Sequence, residues 1–390
     1  MWVVVAILGV VLALVILGYV LHKKERARRH PGVLWQILVP EQDESTLMQM
    51  TAFLEELYRG CSGNSLHRQH FALEYYADVN GTAMYLWLPE KFLLDKDLPT
   101  LISGFYPNAV VAPVAPENDP VAKEGLFGME FTLQQEYTAP LATWDELAGD
   151  GVAYLSNHLA VYQPGQFVGM QLVCEPNKKW IETMNRFIME YEQALHGKEP
   201  QAAGGDSLGE LIRGAWSGPT KPQQRMAAKP RSPLEEANLK RWKKLLTDPG
   251  GGFGFTTEIR IYTNVQENLA KYAGLLNFFS GGNALKAKPL KEVDAIARRW
   301  MTSSDYKHHL LAATTIAGIW HPPNEDTVKF GAANLIFSKF RPTPLPVGAF
   351  VLDFEPEYKA QPWLDILLAK AMAKIGDTDN PQQEDEGDYG

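Results

Sequence analysis

The stretch Phe71-Ala72-Leu73-Glu74-Tyr75-Tyr76-Ala77-Asp78-Val79-Asn80-Gly81-Thr82-Ala83-Met84-Tyr85-Leu86-Trp87-Leu88 reads as two strands joined by a tight turn. Asn80-Gly81 supplies the positive φ angles that a two-residue hairpin needs, and both flanks carry residues suited to a pleated surface. Working backwards, Val33-Leu34-Trp35-Gln36-Ile37-Leu38-Val39 is an apolar run closed by Pro40, which predicts a buried strand. Asp43 or Ser45 can cap a helix whose Leu47, Met50, Phe53, Leu54 and Leu57 fall at helical spacing, stopped by Gly60 and Gly63. Working forwards, a helix is expected over about 91–105 and a strand over Ala109–Val114. The order β-α-β-β-α-β over 33–115 is that of a ferredoxin-like unit.

A second unit of the same kind is expected over 126–345. Phe127–Leu133 alternates like a strand, and Trp144 opens a helix running to about His158. Gln166–Cys174 is a further strand, followed by a long helix over Lys178–Leu195 with Trp180, Ile181, Met184, Phe187, Ile188 and Tyr191 on its apolar side. Residues 197–233 are dominated by Gly, Pro, Gln, Ala and Ser, a composition too poor in apolar groups to order itself, and predict a flexible insertion. The unit resumes with a strand over Phe255–Tyr262 and a helix over about 265–279. Residues 291–302 read as helix or extended chain, and Leu310–Trp320 as an apolar helix stopped at His321-Pro322-Pro323. A C-terminal extension, 346–375, holds an amphipathic helix from Trp363. The tail, 376–390, has six acidic residues and no basic one and is expected to be disordered and solvated.

The N-terminus carries a different signal. Residues 1–21, with Trp2, Val3, Leu8, Leu14, Ile16 and Tyr19 along them, hold no charge, and some 20 apolar residues suffice for a transmembrane helix. The segment 22–32 follows with Lys23, Lys24, Arg26, Arg28 and Arg29, while no basic residue precedes the apolar run. The positive-inside rule then predicts a single-pass cytoplasmic-membrane protein with its N-terminus outside and its body in the cytoplasm. A cleaved signal peptide would need a basic start and a small-residue cleavage site, and neither is present. The expected fold class is therefore α+β: a transmembrane helix, then two ferredoxin-like units.

Little in the sequence points to catalysis. Cys61 and Cys174 show no metal-ligand spacing and read as buried small hydrophobes. No phosphate-cradling GxxxxGK[ST] loop occurs, and Gly250–Gly254 precedes a strand where an anion site would need a helix. His67/His70 and His308/His309 lack the spacing of a zinc site and read as surface residues; His321 reads as a helix terminus packed by Trp320. No cofactor, metal or catalytic residue is expected. The net charge of −9 disfavours a general nucleic-acid surface. A local basic cluster is nevertheless a candidate anion-binding site: Lys221, Arg225, Lys229, Arg231, Lys240, Arg241, Lys243 and Lys244.

Several segments together resemble the membrane-proximal region of conjugative DNA-transfer ATPases of the type IV secretion class. They are Phe71–Glu74 with the hairpin and Leu88-Pro89-Glu90-Lys91, then Phe105–Val111, Gly169–Pro176, Glu258–Ile261 and Ala317-Gly318-Ile319-Trp320-His321-Pro322-Pro323. The resemblance covers about 33–345 and implies two ferredoxin-like units beside a motor; the motor's own nucleotide-binding motifs are absent, so its activity is not implied. The leading expectation is a non-catalytic membrane-anchored scaffold or adaptor that recruits a separately encoded motor ATPase or other secretion-system subunits. The alternative is a membrane-tethered module that binds nucleic acid or anionic lipid through 221–244. An enzyme of unfamiliar chemistry is the third reading.

Overall fold

The hairpin forms as β2 (Phe71–Asp78) and β3 (Gly81–Pro89). Gly81 adopts φ 129°, which a side chain would disfavour, and the Asn80 N–H donates to Asp78 Oδ1 across the turn at 2.8 Å. The computed structural model describes residues 32–41, 43–62, 69–90, 92, 98–122, 125–137, 139–195, 233–247, 251–302 and 306–338. Strand β1 (Gly32–Leu38) pairs with β3 on one side and β4 (Val110–Pro113) on the other, all antiparallel. Helix α1 (Leu47–Cys61) starts from a Thr46/Gln49 capping box and buries Met50, Phe53, Leu54 and Leu57. Of the helix expected over about 91–105, Leu98–Phe105 is described as α2, with Pro99 in its first turn, where a missing N–H removes no helical hydrogen bond; Glu90 and Phe92 are helical too, and 91 and 93–97 lie outside the described residues.

The remaining strands are β5 (Phe127–Leu133), β6 (Val168–Pro176), β7 (Gly254–Thr263), β8 (Leu285–Pro289) and β9 (Leu310–Ala312). The path β4-β1-β3-β2-β6-β7-β5-β8 is continuous, with β9 added beside the start of β7. Read inwards from its own outer edge, each half follows the same order of strands, fourth, first, third, second. The seam is β2·β6, which stay paired from Phe71↔Cys174 to Ala77↔Val168.

The expected architecture is corrected on two points. The strands do not form two separate units; they form one nine-stranded antiparallel sheet. The physical reason lies in β2 and β6, which are buried along nearly their whole length and carry none of the lysines or edge-blunting bulges that keep a free edge solvated. The single-pass membrane placement is also withdrawn: among the described residues no helix is long and apolar enough to cross a membrane. The expected anchor, with Trp2, Val3, Leu8, Leu14, Ile16 and Tyr19, and the collar Lys23, Lys24, Arg26, Arg28 and Arg29 lie outside the described residues. So do the expected C-terminal helix and the acidic tail.

Local signals also redraw several helices. The helix expected over 144–158 is a 3-10 turn (Trp144–Glu146) followed by α3 (Gly151–His158), because Asp150 Oδ1 accepts the Ala153 N–H at 2.7 Å and starts a new helix. Helix α4 (Trp180–Leu195) and α5 (Pro233–Thr247) stand between β6 and β7. Short helices α6 (Leu269–Tyr272) and α7 (Asp294–Arg298) follow. The apolar run 310–320 divides into β9 and α8 (Ala313–Ile319), and α9 (Glu325–Lys329) comes after it.

Strand alternation gives the sheet two unlike faces. One carries Leu73, Tyr75, Met84, Leu86, Met170, Leu172, Ile259 and Ile261 into the main core, where α1, α3 and α8 cover it. The other holds two smaller apolar clusters, one with Tyr76 and Tyr262, one with Ala72, Trp87 and Val173. Val114, Val121, Ile296 and Met301 pack on them, so the connection between the halves and the chain after β8 cover this second face. Where β1 and β3 stop pairing, residues 334–338 take over their backbone groups: Ser338 N–H to Val39 O at 2.9 Å, Ile336 N–H to Thr82 O at 2.9 Å, and Thr82 N–H to Asn334 O at 2.7 Å.

Candidate functional site

The two halves differ most at one place. In the first, β2 and β3 are joined by the Val79-Asn80 turn; in the second, β6 and β7 are joined by residues 177–253, which contain α4 and α5. The base of this arm is a small core of Trp180, Met184, Trp242, Leu245, Leu310 and Ala312. Trp180 and Trp242 meet edge to face at 5.5 Å, and Trp180 Nε1–H donates to Gly251 O at 2.9 Å. Ile181 and Met189 on α4 are 41% and 56% exposed.

Half of the predicted basic cluster lies on α5. Arg241 reaches Glu146 at 2.9 Å, Lys244 bonds Asp145 of the same 3-10 turn, and Lys243 bonds Glu192 on α4. These pairs tie α5 to the body and to α4 and neutralise three charges locally; Lys240 is exposed. Lys221, Arg225, Lys229 and Arg231 lie outside the described residues. Helix α5 itself was not expected, since its apolar residues stand among four Lys/Arg and the whole stretch reads as solvated chain.

The second face of the sheet carries a file of polar side chains, buried from Glu74 to Glu130, that the sequence reading passed over. Tyr85, Glu74, Gln171, Arg260, Glu130 and Lys288 are successive cross-strand neighbours from β3 to β8. Arg299 forks onto Glu74 (Nε–Oε1 2.6 Å, Nη2–Oε2 3.1 Å) and onto Asp119 (Nη1–Oδ2 2.8 Å, Nη2–Oδ1 2.9 Å). Gln171 Nε2 donates to Glu74 Oε1 at 2.8 Å, and its Oε1 accepts from Arg260 Nη1 at 3.1 Å. Arg260 Nη2 donates to Glu258 and to the Trp300 carbonyl, and Glu258 Oε2 accepts the Thr302 N–H at 2.9 Å. Burial disfavours the Arg299 cation, but Glu74 and Asp119 outweigh it and raise its pKa further. Arg299 also has φ 53°, a left-handed conformation that costs a residue with a side chain about 1–2 kcal/mol. The signal for the network was a charged or amide residue inside each of three apolar strands (Glu74, Gln171, Arg260), since such a residue must find a buried partner.

His309, expected at the surface, is 3% exposed, with Nε2 3.6 Å from Glu130 Oε1. Burial holds its imidazole below the ordinary range although Glu258 and Glu130 pull it up. His321 is buried too, with Nε2 3.2 Å from Asp150 Oδ2 and Nδ1 2.9 Å from the Pro322 carbonyl. Burial pushes the Asp150 carboxyl up, but His321, the Ala153 N–H and the Thr327 hydroxyl outweigh it and hold it below the usual carboxylate range. The Tyr75 hydroxyl donates to Ile319 O at 2.8 Å and Trp320 Nε1–H to Glu74 O at 3.2 Å, which fixes the Trp320-His321 segment on the sheet. Burial also pushes up both thiols, that of Cys174 to about 12. Among the described residues, no group of three or more His, Cys, Asp or Glu is placed to hold a metal ion.

The geometry thus defines an α+β protein with a doubled sheet, an ion-bonded seam and one inserted helical arm. No family model and no curated protein matches the chain, so the resemblance described above rests on its motifs alone.

Proposed function

We propose that the chain is a non-catalytic scaffold or adaptor whose partner docks on the helical arm 177–253. One observation carries this reading. At equivalent places in the two halves, one connection is a two-residue turn and the other an arm braced by a tryptophan pair and three ion pairs. Insertions positioned by a rigid scaffold are where proteins most often place recognition. Ile181 and Met189 supply exposed apolar surface on the arm, and apolar anchors dominate interface energetics. The partner class follows from the resemblance alone: a separately encoded motor ATPase.

The test is affinity capture with the full chain and with Ile181→Glu/Met189→Glu. Both side chains are largely exposed, so the fold should persist. The wild-type chain should recover an ATPase and the variant should lose it by at least about tenfold, the loss of roughly 1.4 kcal/mol of contact energy. Equal recovery by both chains, or an ATPase in neither, overturns the reading.

A further inference from the structure

Strand β9 lies off the continuous path of the sheet, beside the start of β7. Its three residues pair as Gly254↔Ala312, Phe255↔Leu311 and Thr256↔Leu310. Bonds from Thr257 N–H to His309 O at 2.7 Å and from Ala313 N–H to Phe253 O at 3.1 Å close its two ends. Leu310 and Ala312 pack with Trp180, Met184, Trp242 and Leu245, so β9 is the floor on which α4 and α5 stand. The ring of His309, the residue just before β9, is buried but incompletely paired. Its Nε2 is 3.6 Å from Glu130 Oε1, beyond hydrogen-bond distance. Among the described residues, neither that oxygen nor His309 Nδ1 has a hydrogen-bond partner.

The charged groups around the ring are already committed. Glu130 on β5 has Lys288 of β8 3.5 Å from its other oxygen, and Glu258 on β7 accepts from Arg260 and from the N–H and hydroxyl of Thr302. Just before the ring, Lys307 pairs with Glu136 at 3.1 Å and His308 is half-buried. A neutral imidazole fits this place, with one N–H turned towards Glu130 and Nδ1 left as a lone pair. An imidazolium does not, because its second N–H would be buried without an acceptor, beside carboxylates that already hold cations. We propose that His309 is a proton-operated latch at the foot of the arm: its neutral form lets β9 close under Trp180 and Trp242, and protonation releases β9 together with α4 and α5 while the rest of the sheet stays paired. The ring's proton affinity agrees in direction, since burial lowers it against the pull of Glu258 and Glu130. Such a latch acts on the attachment of the arm and is indifferent to what docks there.

The experiment is residue-resolved hydrogen exchange on the full chain at low salt, at pH 7.5 and pH 5, each rate divided by that of an unfolded chain at the same pH. The reporters are the Thr257 and Ala313 amides and the Trp180 indole N–H, which donates to Gly251 O. At pH 5 their protection should fall by at least about fivefold, and by no more than about thirtyfold, the ceiling for an imidazole that titrates near 6.5 once released. The Leu172 amide at the seam should change by less than about twofold. His309→Gln, which cannot take up the proton, should keep the same protection at both pH values. Lys288→Met removes a competing cation whose side chain is 50% exposed; the fold should persist, the closed latch should tolerate the proton better, and the fall should shrink. This second variant decides the matter if His309→Gln does not fold. Equal protection at both pH values in the wild type, a fall at Leu172 in step with the reporters, or a fall as large in either variant as in the wild type would each overturn the proposal.

Discussion

Replacing Arg299 by methionine removes the one cation shared by Glu74 and Asp119. The side chains of Arg299 and Glu74 are 4% and 1% exposed and Asp119 is 19% exposed, so Glu74 would stay in the interior with Gln171 Nε2 as its remaining side-chain donor. Breaking a buried pair from one side costs about 3–5 kcal/mol, because it leaves an uncompensated charge. The loss should be read as a fall in urea midpoint at pH 7 with the slope unchanged. Glu74→Gln/Arg299→Met should recover at least about 1 kcal/mol of the loss, the coupling expected of residues in direct contact. The left-handed backbone supplies a second check: Arg299→Gly should be more stable than Arg299→Ala by about 1 kcal/mol, against the usual order, because only glycine is unstrained at φ 53°. An Arg299→Met deficit below about 1 kcal/mol at pH 7, or strict additivity with Glu74→Gln, would refute the view that this network holds the seam.

Asp150→Asn keeps a capping side chain but loses the charge facing His321, and should cost about 1–3 kcal/mol by thermal unfolding at pH 7, with Asp150→Ala costing more. The depressed Asp150 carboxyl contributes stability above its unfolded pKa, and that part is lost as pH falls through the lower folded value, so wild type and Asp150→Asn should converge in acid. For His309 the folded imidazole is depressed, so the folded state binds fewer protons than the unfolded one and stability falls as pH drops below about 6.5; His309→Gln should flatten that slope in a pH series of melts. Gly151→Ala would put a Cβ 2.0 Å from the Gly318 carbonyl oxygen, a backbone atom, and should lower stability by about 1–3 kcal/mol in urea unfolding.

Elements written in local chemistry were legible in the sequence. Asn80-Gly81 placed the hairpin, the apolar spacing from Met50 to Leu57 placed α1, and the long apolar stripe from Trp180 placed α4. What stayed hidden depends on residues far apart in the chain. Arg299 meets Asp119 across 180 positions and Glu74 across 225, so nothing beside Arg299 marks it as a buried clamp. Pairing of β2 with β6 was likewise invisible, since an apolar strand reads the same at a core edge as at a seam. The basic residues of α5 misled for a related reason: Glu146, Asp145 and Glu192, which neutralise Arg241, Lys244 and Lys243, come from other parts of the chain.

The seam bears directly on how such a chain could work. A protein that opened and closed two lobes would keep the contact between them small and polar, as in hinged domains. Here a ladder from Phe71↔Cys174 to Ala77↔Val168 runs through the middle of the sheet, with the main core on one side and the Arg299 clamp on the other. Separating the halves would break that ladder and strand buried charges, a cost far beyond the few kcal/mol available to a binding partner. Nor does the strap at 334–338 favour motion, because it bonds β1 and β3 of the first half while α8 and α9 before it pack on the elements of both. The described helices α4 and α5 are consequently held in a fixed orientation to both halves, so a partner docked there, as proposed above, would be presented on a rigid platform.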